Sequence, residues 1–247
     1  MNILVIGAGG VGASMASIAE TRSFFTQFVL ADISLSRAEE AIALLDDRSK
    51  FVAEQVDARD MGAIKALIQK VKADVVVNAC DPRMNEPIFN AAFEAHCNYI
   101  DMAMNLSEPH ASNPYEEVGS PLGADQLAAD QAWRDRGLLA LVGMGVEPGL
   151  SDVFARYAAD NLFDTIDEIG VRDGSNLSID GLDFAPTFSI WTTIEECLNP
   201  PIVWEKNRGL YTTDCFSEPE VFHFPAGIGP YECVNVEHEE VLLIPRE

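Results

Sequence analysis

The chain has 247 residues, 48% of them hydrophobic, which is enough for one large domain or two modest ones with a substantial core. Against 16 Lys and Arg stand 40 Asp and Glu, and the resulting formal charge of −24 argues against nucleic acid or an anionic membrane surface as a partner. No apolar run approaches a membrane span and no basic leader precedes the first apolar segment; the five cysteines lack any C-x-x-C spacing, so a soluble, cytoplasmic protein with reduced thiols is expected.

The apolar stretch Asn2–Ile6 suits a strand buried on both faces and empties into Gly7-Ala8-Gly9-Gly10-Val11-Gly12, after which residues 13–22 have helical character. In such a loop the first glycine permits a tight turn, the second lets a pyrophosphate approach the backbone, and the third lets the helix pack on the strand. The helix N-terminus then presents free N–H groups and a partial positive charge. A second strand, residues 27–31, closes at Asp32, placed to accept hydrogen bonds from a ribose diol.

Ser36-Arg37-Ala38-Glu39 has the form of a capping box and opens a helix through residue 45. Arg37 can reach a 2′-phosphate or sit on the surface in the first helical turn. Because Asp32 repels that phosphate, NAD is the expected cofactor, with NADP the alternative. A third strand, residues 50–56, leads to Asp57-Ala58, beside the expected adenine position or in an ordinary turn, and Asp60 caps a helix Met61–Val71. Residues 74–79 form a fourth buried strand whose carboxyl end, including Asn78 and Ala79, borders the nicotinamide ribose.

A helix over residues 85–96 and a strand Asn98–Asp101 follow, with Asp101 at the strand's carboxyl end. Residues 104–123, with Pro109, Pro114 and Pro121, read as a long loop, either a lid or an insertion. A helix over 124–135 and a strand over 138–142 complete an α/β, doubly wound parallel sheet of Rossmann type. The second glycine-rich loop, residues 143–152, contains Glu147-Pro148-Gly149 and leads into a helix through Asn161; its N-terminus can hold a substrate carboxylate or be a capped turn. The domain boundary is placed here, with residues 1–147 binding NAD(P) and 148–247 forming a smaller α+β domain. Strand-like runs at 166–171, 184–190, 201–205, Glu220–Phe224 and 231–236, interrupted by a helix over 193–198, suggest a mostly antiparallel sheet that covers substrate or pairs two subunits. His238, among carboxylates, is an acid–base candidate, although a surface histidine is the commoner outcome. No metal site is expected.

Taken in order, G-A-G-G-V-G, Asp32, V-V-V-N-A-C-D-P, N-Y-I-D, G-M-G-V-E-P-G-L-S-D, W-T-T-I-E-E and N-V-E-H-E-E resemble the saccharopine dehydrogenase-like oxidoreductases over nearly the whole chain. The resemblance implies NAD(P)-linked reduction of an imine formed between an amine and a carbonyl compound, or oxidation of the corresponding secondary amine. It further implies that Gly7, Gly9, Gly10, Val11 and Gly12 hold the pyrophosphate and Asp32 the ribose. Asp57, Ala58, Asn78 and Ala79 line the rest of the cofactor site, while Asp101, Glu147, Pro148 and Gly149 face the cleft at its nicotinamide end. Asp101 and His238 are the acid–base candidates, and a homodimer is expected. Members of that family continue beyond the equivalent of residues 244–247, so the second domain is expected to be incomplete at its C-terminus. Two rivals remain: a dinucleotide-binding sensor or scaffold, and a semialdehyde dehydrogenase using Cys80 or Cys97 as nucleophile.

Overall fold

A computed structural model describes residues 1–182 and 189–246. Two compact units divide the chain, the first formed by residues 1–105 and 125–145, the second by 106–124 and 146–247.

The first unit contains β1 (Asn2–Ile6), α1 (Gly10–Glu20), β2 (Gln27–Asp32), α2 (Leu35–Ala43), β3 (Phe51–Gln55), α3 (Met61–Val71), β4 (Val75–Asn78), α4 (Asn85–Glu94) and β5 (Asn98–Asp101). It closes with α5 (Ala124–Ala128), which enters this unit at Asp125, α6 (Asp130–Asp135) and β6 (Ala140–Leu141). The six strands make one parallel sheet in the order β3-β2-β1-β4-β5-β6. Strand order therefore reverses between β1 and β4, where Ile6 lies level with Ala31 on one side and Asn78 on the other. In such a sheet the crevice at the carboxyl ends of these strands is the ligand position.

Alternation along β1 divides the core. Leu4 and Ile6 join Ile64, Leu67, Ile68, Ile88, Phe89 and Trp133 on the face covered by α3, α4 and α6. Ile3 and Val5 join Ala16, Ala19, Ala38 and Ile42 on the face covered by α1 and α2. Each fully buried aliphatic side chain contributes roughly 1.5–3 kcal/mol, so the two layers clamp the strand ends that carry the glycine loop. α3 shows how sequence sets such a layer: Asp60 Oδ1 accepts from the Ala63 N–H at 2.9 Å, and Ile64, Leu67 and Ile68 fall on one buried stripe. The helix ends at Lys72 in a left-handed conformation, φ 52°.

The second unit carries α7 (Leu150–Asn161), α8 (Ile190–Leu198), β7 (Ile202–Glu205), β8 (Gly209–Thr212), β9 (Glu220–Phe224), β10 (Gly229–Cys233) and α9 (Glu240–Leu243). Its described strands form two antiparallel hairpins, β7–β8 and β9–β10. The stretch expected as a long loop includes an antiparallel bridge in this unit, with Glu108 and Ser120 exchanging N–H···O bonds of 2.9 Å.

Several elements differ from the sequence reading. α1 starts at Gly10, so the second half of the glycine loop is already helical. The capping box at Ser36 does not form, because Ser34 is the N-cap and its hydroxyl meets that of Ser36 at 2.9 Å. The single helix expected over 124–135 bends at Ala129 into α5 and α6. Residues 166–171 form no strand: Ile166, Ile169 and Val171 are exposed, and no neighbouring strand among the described residues receives their backbone groups. The run expected at 184–190 lies outside the described residues except at its end, where Ile190 opens α8. β8 escapes a reading by hydropathy because it is short and follows a tight turn into Gly209, φ 78°. The last strand is set earlier than the expected 231–236, at Gly229–Cys233, by its register with β9.

Among the described residues no helix is long and apolar enough to cross a membrane.

Candidate functional site

The glycine loop at the switch point has the shape a dinucleotide needs. Gly7 adopts φ +108°, and a Cβ there would lie 2.6 Å from the Ala79 carbonyl oxygen. At Gly12 a Cβ would lie 1.9 Å from the Gly7 carbonyl oxygen, so only hydrogen lets α1 pack on the loop. Gly9 has nothing within 4 Å of its would-be Cβ, and Gly9, Gly10 and Val11 are exposed. No side chain caps α1 and no acidic residue stands in its first turn, leaving the helix terminus open to phosphate.

Asp32 is buried, and its Oδ2 accepts from the Ala8 N–H at 2.8 Å while Oδ1 accepts from the Ser34 N–H at 2.9 Å. It therefore braces the glycine loop against the end of β2. The exposed Arg37 guanidinium stands 3.9 Å from Asp32 Oδ2. Asp57 is engaged by Arg59, whose side chain and backbone N–H hold its carboxyl down to about 2. Ala58 and Ala79 are half-buried and pack against the two core layers.

Two of the polar residues expected to border the cofactor are turned inward. Asn78 donates to Asn85 Oδ1 at 2.6 Å and accepts from the Cys80 N–H at 2.9 Å, and Asn85 donates to the Ala103 carbonyl at 2.8 Å. Asp101 accepts from the Gln126 amide and from the Gly143 N–H, both at 2.7 Å, and is buried. A carboxylate so enclosed ties the end of β5 to α5 and to the chain leaving β6. Gln126, unmarked in the sequence, is the other half of this clamp, and its Oε1 also accepts from the Asn105 N–H at 2.7 Å.

The thiols proposed as nucleophiles are held protonated. Burial, with the charges of Asp32 and Asp81, pushes Cys80 up to about 12, and burial beside Asp74 pushes Cys97 up to about 12. Nucleophilic cysteines need the opposite shift.

In the second unit the loop before α7 and the segment before α9 bring titratable groups together. His238 Nδ1 meets Glu240 Oε2 at 2.5 Å and Glu239 Oε2 at 3.4 Å, and Glu240 Oε1 accepts from the Ser151 hydroxyl at 2.7 Å. One ligand atom each from Glu147, His238 and Glu240 lie within 4.8 Å of one another. His238 is thus no ordinary surface histidine, its side chain being 23% exposed. Burial alone would lower its pKa, but the hydrogen bond to Glu240 and the charges of Glu239, Glu240 and Glu196 outweigh it and raise it to about 9. Burial lifts the carboxyls of Glu147 and Glu196 to about 7 against the opposing charge of His238. Burial also raises Glu237, which accepts from Asn199 Nδ2 at 2.9 Å.

Gly149 caps α7 with φ 122°, and its N–H donates to Asp152 Oδ2 at 2.8 Å, while Pro148 is buried. A carboxylate of the chain already occupies that helix N-terminus, so the cluster has an acceptor-rich character suited to a cation. Arranged this way, the half-buried carboxylates of Glu147 and Glu196, titrating near neutrality beside an imidazolium, can bind an ammonium group and exchange protons with it.

These shifts make stability pH-dependent with one sign. Glu147 and Glu196, raised from 4.5 to about 7, and His238, raised from 6.5 to about 9, each contribute stability that is fully present below the lower value and lost as pH rises through the higher. Glu240, whose pKa is lowered, stays ionised over this range. The melting temperature is expected to fall by several degrees between pH 6 and pH 9 in thermal denaturation, with the change above neutrality much reduced in His238→Gln. A wild-type melting temperature that stays level across that interval would contradict the ion-pair geometry.

Comparison with known proteins gives the chain a family. Residues 3–141 match the saccharopine dehydrogenase NADP-binding domain. Carboxynorspermidine synthase of Vibrio cholerae is 31% identical over 249 aligned positions, covering 98% of this chain and 58% of that protein. Carboxyaminopropylagmatine dehydrogenase of Synechocystis is 29% identical over 194, covering 78% of this chain and 46% of that one. The chain therefore spans somewhat more than half the length of the Vibrio relative it matches. Among solved structures, apo saccharopine dehydrogenase (L-Glu forming) of Saccharomyces cerevisiae is 15% identical, with a TM-score of 0.49 over 65% of this chain and 31% of that one. The match through most of the sheet and the likeness running along nearly all of the chain place it in one group: it belongs to the saccharopine dehydrogenase family.

Proposed function

We propose that the chain carries the cofactor and amine sites of an NAD(P)-linked oxidoreductase that reduces an imine formed between an amine and a carbonyl compound, or oxidises the corresponding secondary amine. The observation that carries this reading is the set of buried carboxylates around His238, because an amine substrate arrives as a cation and must lose a proton before it attacks a carbonyl. Glu147 and Glu196, titrating at about 7, accept that proton near neutrality. His238, protonated up to about 9 by its partners, donates to the hydroxyl that leaves as water when the imine forms. The open glycine loop and the N-terminus of α1 would hold the pyrophosphate of a nicotinamide dinucleotide, which would supply the hydride when bound. Asp101, enclosed by Gln126 and Gly143, holds the strand ends in place. The names of the Vibrio and Synechocystis relatives denote carboxylated amines, which directs the substrate search towards aliphatic diamines and guanidino-amines paired with carbonyl compounds that bear a carboxylate.

Oxidation of NADH or NADPH by the purified chain should require both an amine and a carbonyl compound and yield a secondary amine by mass spectrometry. Dinucleotide binding with no turnover on any pair would instead favour a sensor or scaffold. On this reading the choice of dinucleotide turns on Arg37, whose exposed guanidinium stands 3.9 Å from Asp32 Oδ2 and would offset its charge beside a 2′-phosphate. Arg37→Ala is expected to lower kcat/KM for NADPH by about tenfold to a hundredfold and to leave NADH unaffected, since one charge-assisted contact is worth roughly 1.5–3 kcal/mol. Equal losses with both dinucleotides would remove Arg37 from phosphate recognition.

A further inference from the structure

Glu240 is buried at the start of α9, and its two carboxylate oxygens have separate partners. Oε2 meets His238 Nδ1 at 2.5 Å, while Oε1 accepts at 2.7 Å from the hydroxyl of Ser151, 89 residues away in the first turn of α7. Ser151 is itself anchored, its N–H donating to the Val146 carbonyl at 3.0 Å in the second glycine-rich loop. The terminal torsion of a glutamate is broad, so a single contact leaves the carboxylate free to turn. Contacts on both oxygens fix it.

The direction of Oε2 decides which imidazole nitrogen is engaged. Carboxylates at Glu147 before α7, Asp152 on α7 and Glu196 on α8 act on His238 through space, favouring its charged form without choosing between the nitrogens. That choice is made by hydrogen bonding. Glu240 Oε2 and, at 3.4 Å, Glu239 Oε2 both approach Nδ1, whereas Nε2 has no hydrogen-bond partner among the described residues. We infer that Ser151 is a positioning residue for His238: its hydroxyl fixes Glu240 so that Glu240 binds Nδ1 and leaves Nε2–H as the group that delivers the proton. The catalytic part of this inference rests on the amine reading. In the carbinolamine formed from an amine and a carbonyl compound, the nitrogen lone pair closes the C=N bond as the C–O bond breaks, and the Nε2 proton leaves with the hydroxyl as water. The positive charge passes from the ring to the iminium, and the neutral imidazole keeps its remaining proton on Nδ1, still bonded to Glu240.

The test is proton NMR of the 247-residue chain carrying isotope-labelled histidine, with no amine, carbonyl compound or dinucleotide present. A short Nδ1–H bond to a carboxylate gives a far-downfield proton resonance, assigned to His238 by its loss in His238→Gln. The resonance is expected in the wild type, should move upfield or vanish in Ser151→Ala, and should return in Ser151→Thr, which restores the hydroxyl. With an amine and carbonyl pair that turns over, Ser151→Ala is expected to lower kcat by about tenfold or more, with KM for the dinucleotide unchanged, and Ser151→Thr to recover most of the rate. A wild type without the resonance overturns the proposal, and so does a Ser151→Ala chain that keeps it in place, even if its melting temperature falls, because Ser151 then serves stability alone. Loss of the resonance with kcat intact removes Ser151 from the proton delivery. Absence of turnover on every pair counts against the amine reading instead, and the resonance still decides whether Ser151 orients Glu240 on His238.

Discussion

A chain carrying His238→Gln is expected to lose about 100-fold or more in kcat for the proposed imine reduction, the usual scale for removing a positioned general acid. Glutamine nearly preserves the volume and still donates a hydrogen bond to Glu240, but it has no titrating proton to deliver. The diagnostic measurement is the pH profile rather than the rate alone. With His238 held up to about 9 by Glu240 and its neighbours, activity should decline on an alkaline limb near that value. Glu240→Gln removes the 2.5 Å charged contact and leaves the imidazole, so the limb should move down towards the ordinary histidine range while part of the rate survives. In His238→Gln the limb should vanish. A structural role alone would lower the melting temperature and leave the shape of the profile intact, and such a result would withdraw the acid from this position.

The readability of these groups in the sequence divides along a physical line. β1, the glycine loop, Asp32 and the Asp60-capped α3 each carry a local pattern of apolar run, glycine spacing or cap, and that pattern is enough to place them although Asp32 and the loop meet partners far along the chain. Asn78 and Asp101 look in sequence like ligand contacts because each polar side chain ends an apolar strand. Their partners, Asn85, Gln126 and the Gly143 N–H, come from other elements, and they turn both side chains inward. Gln126 gives no local sign of its part because its helix is short and its neighbours are unremarkable. His238 errs in the opposite direction: a histidine in an acidic stretch reads as solvated, whereas Glu147 and Glu196, distant along the chain, help to enclose it. Strand pairing in the second unit was the least legible, since β8 and the end of β10 are set by turn geometry and register more than by hydropathy.

Gly12→Ala is expected both to destabilise the first unit by about 1–3 kcal/mol and to abolish measurable dinucleotide binding, and Gly9→Ala separates the two effects. The added Cβ at Gly12 would stand 1.9 Å from the Gly7 carbonyl oxygen, a backbone atom that cannot rotate away, so α1 must move off the loop. That displacement breaks the packing of Ala16 and Ala19 beneath the helix and shifts the N–H groups that face the pyrophosphate. At Gly9 the backbone is at φ −76°, which any residue adopts, and nothing lies within 4 Å of the would-be Cβ. Alanine there should leave the melting temperature unchanged, yet it stands where the phosphates approach the backbone and should weaken binding by about tenfold or more. Calorimetric titration with NADH and NADPH alongside thermal denaturation reads both quantities. If Gly9→Ala binds as the wild type does while Gly12→Ala keeps its stability, the loop is an ordinary turn and the dinucleotide must be held elsewhere. If the two substitutions divide as described, the glycine loop that carries the chain from β1 into the first turn of α1 also forms the phosphate site, with Gly12 setting the packing and Gly9 the approach.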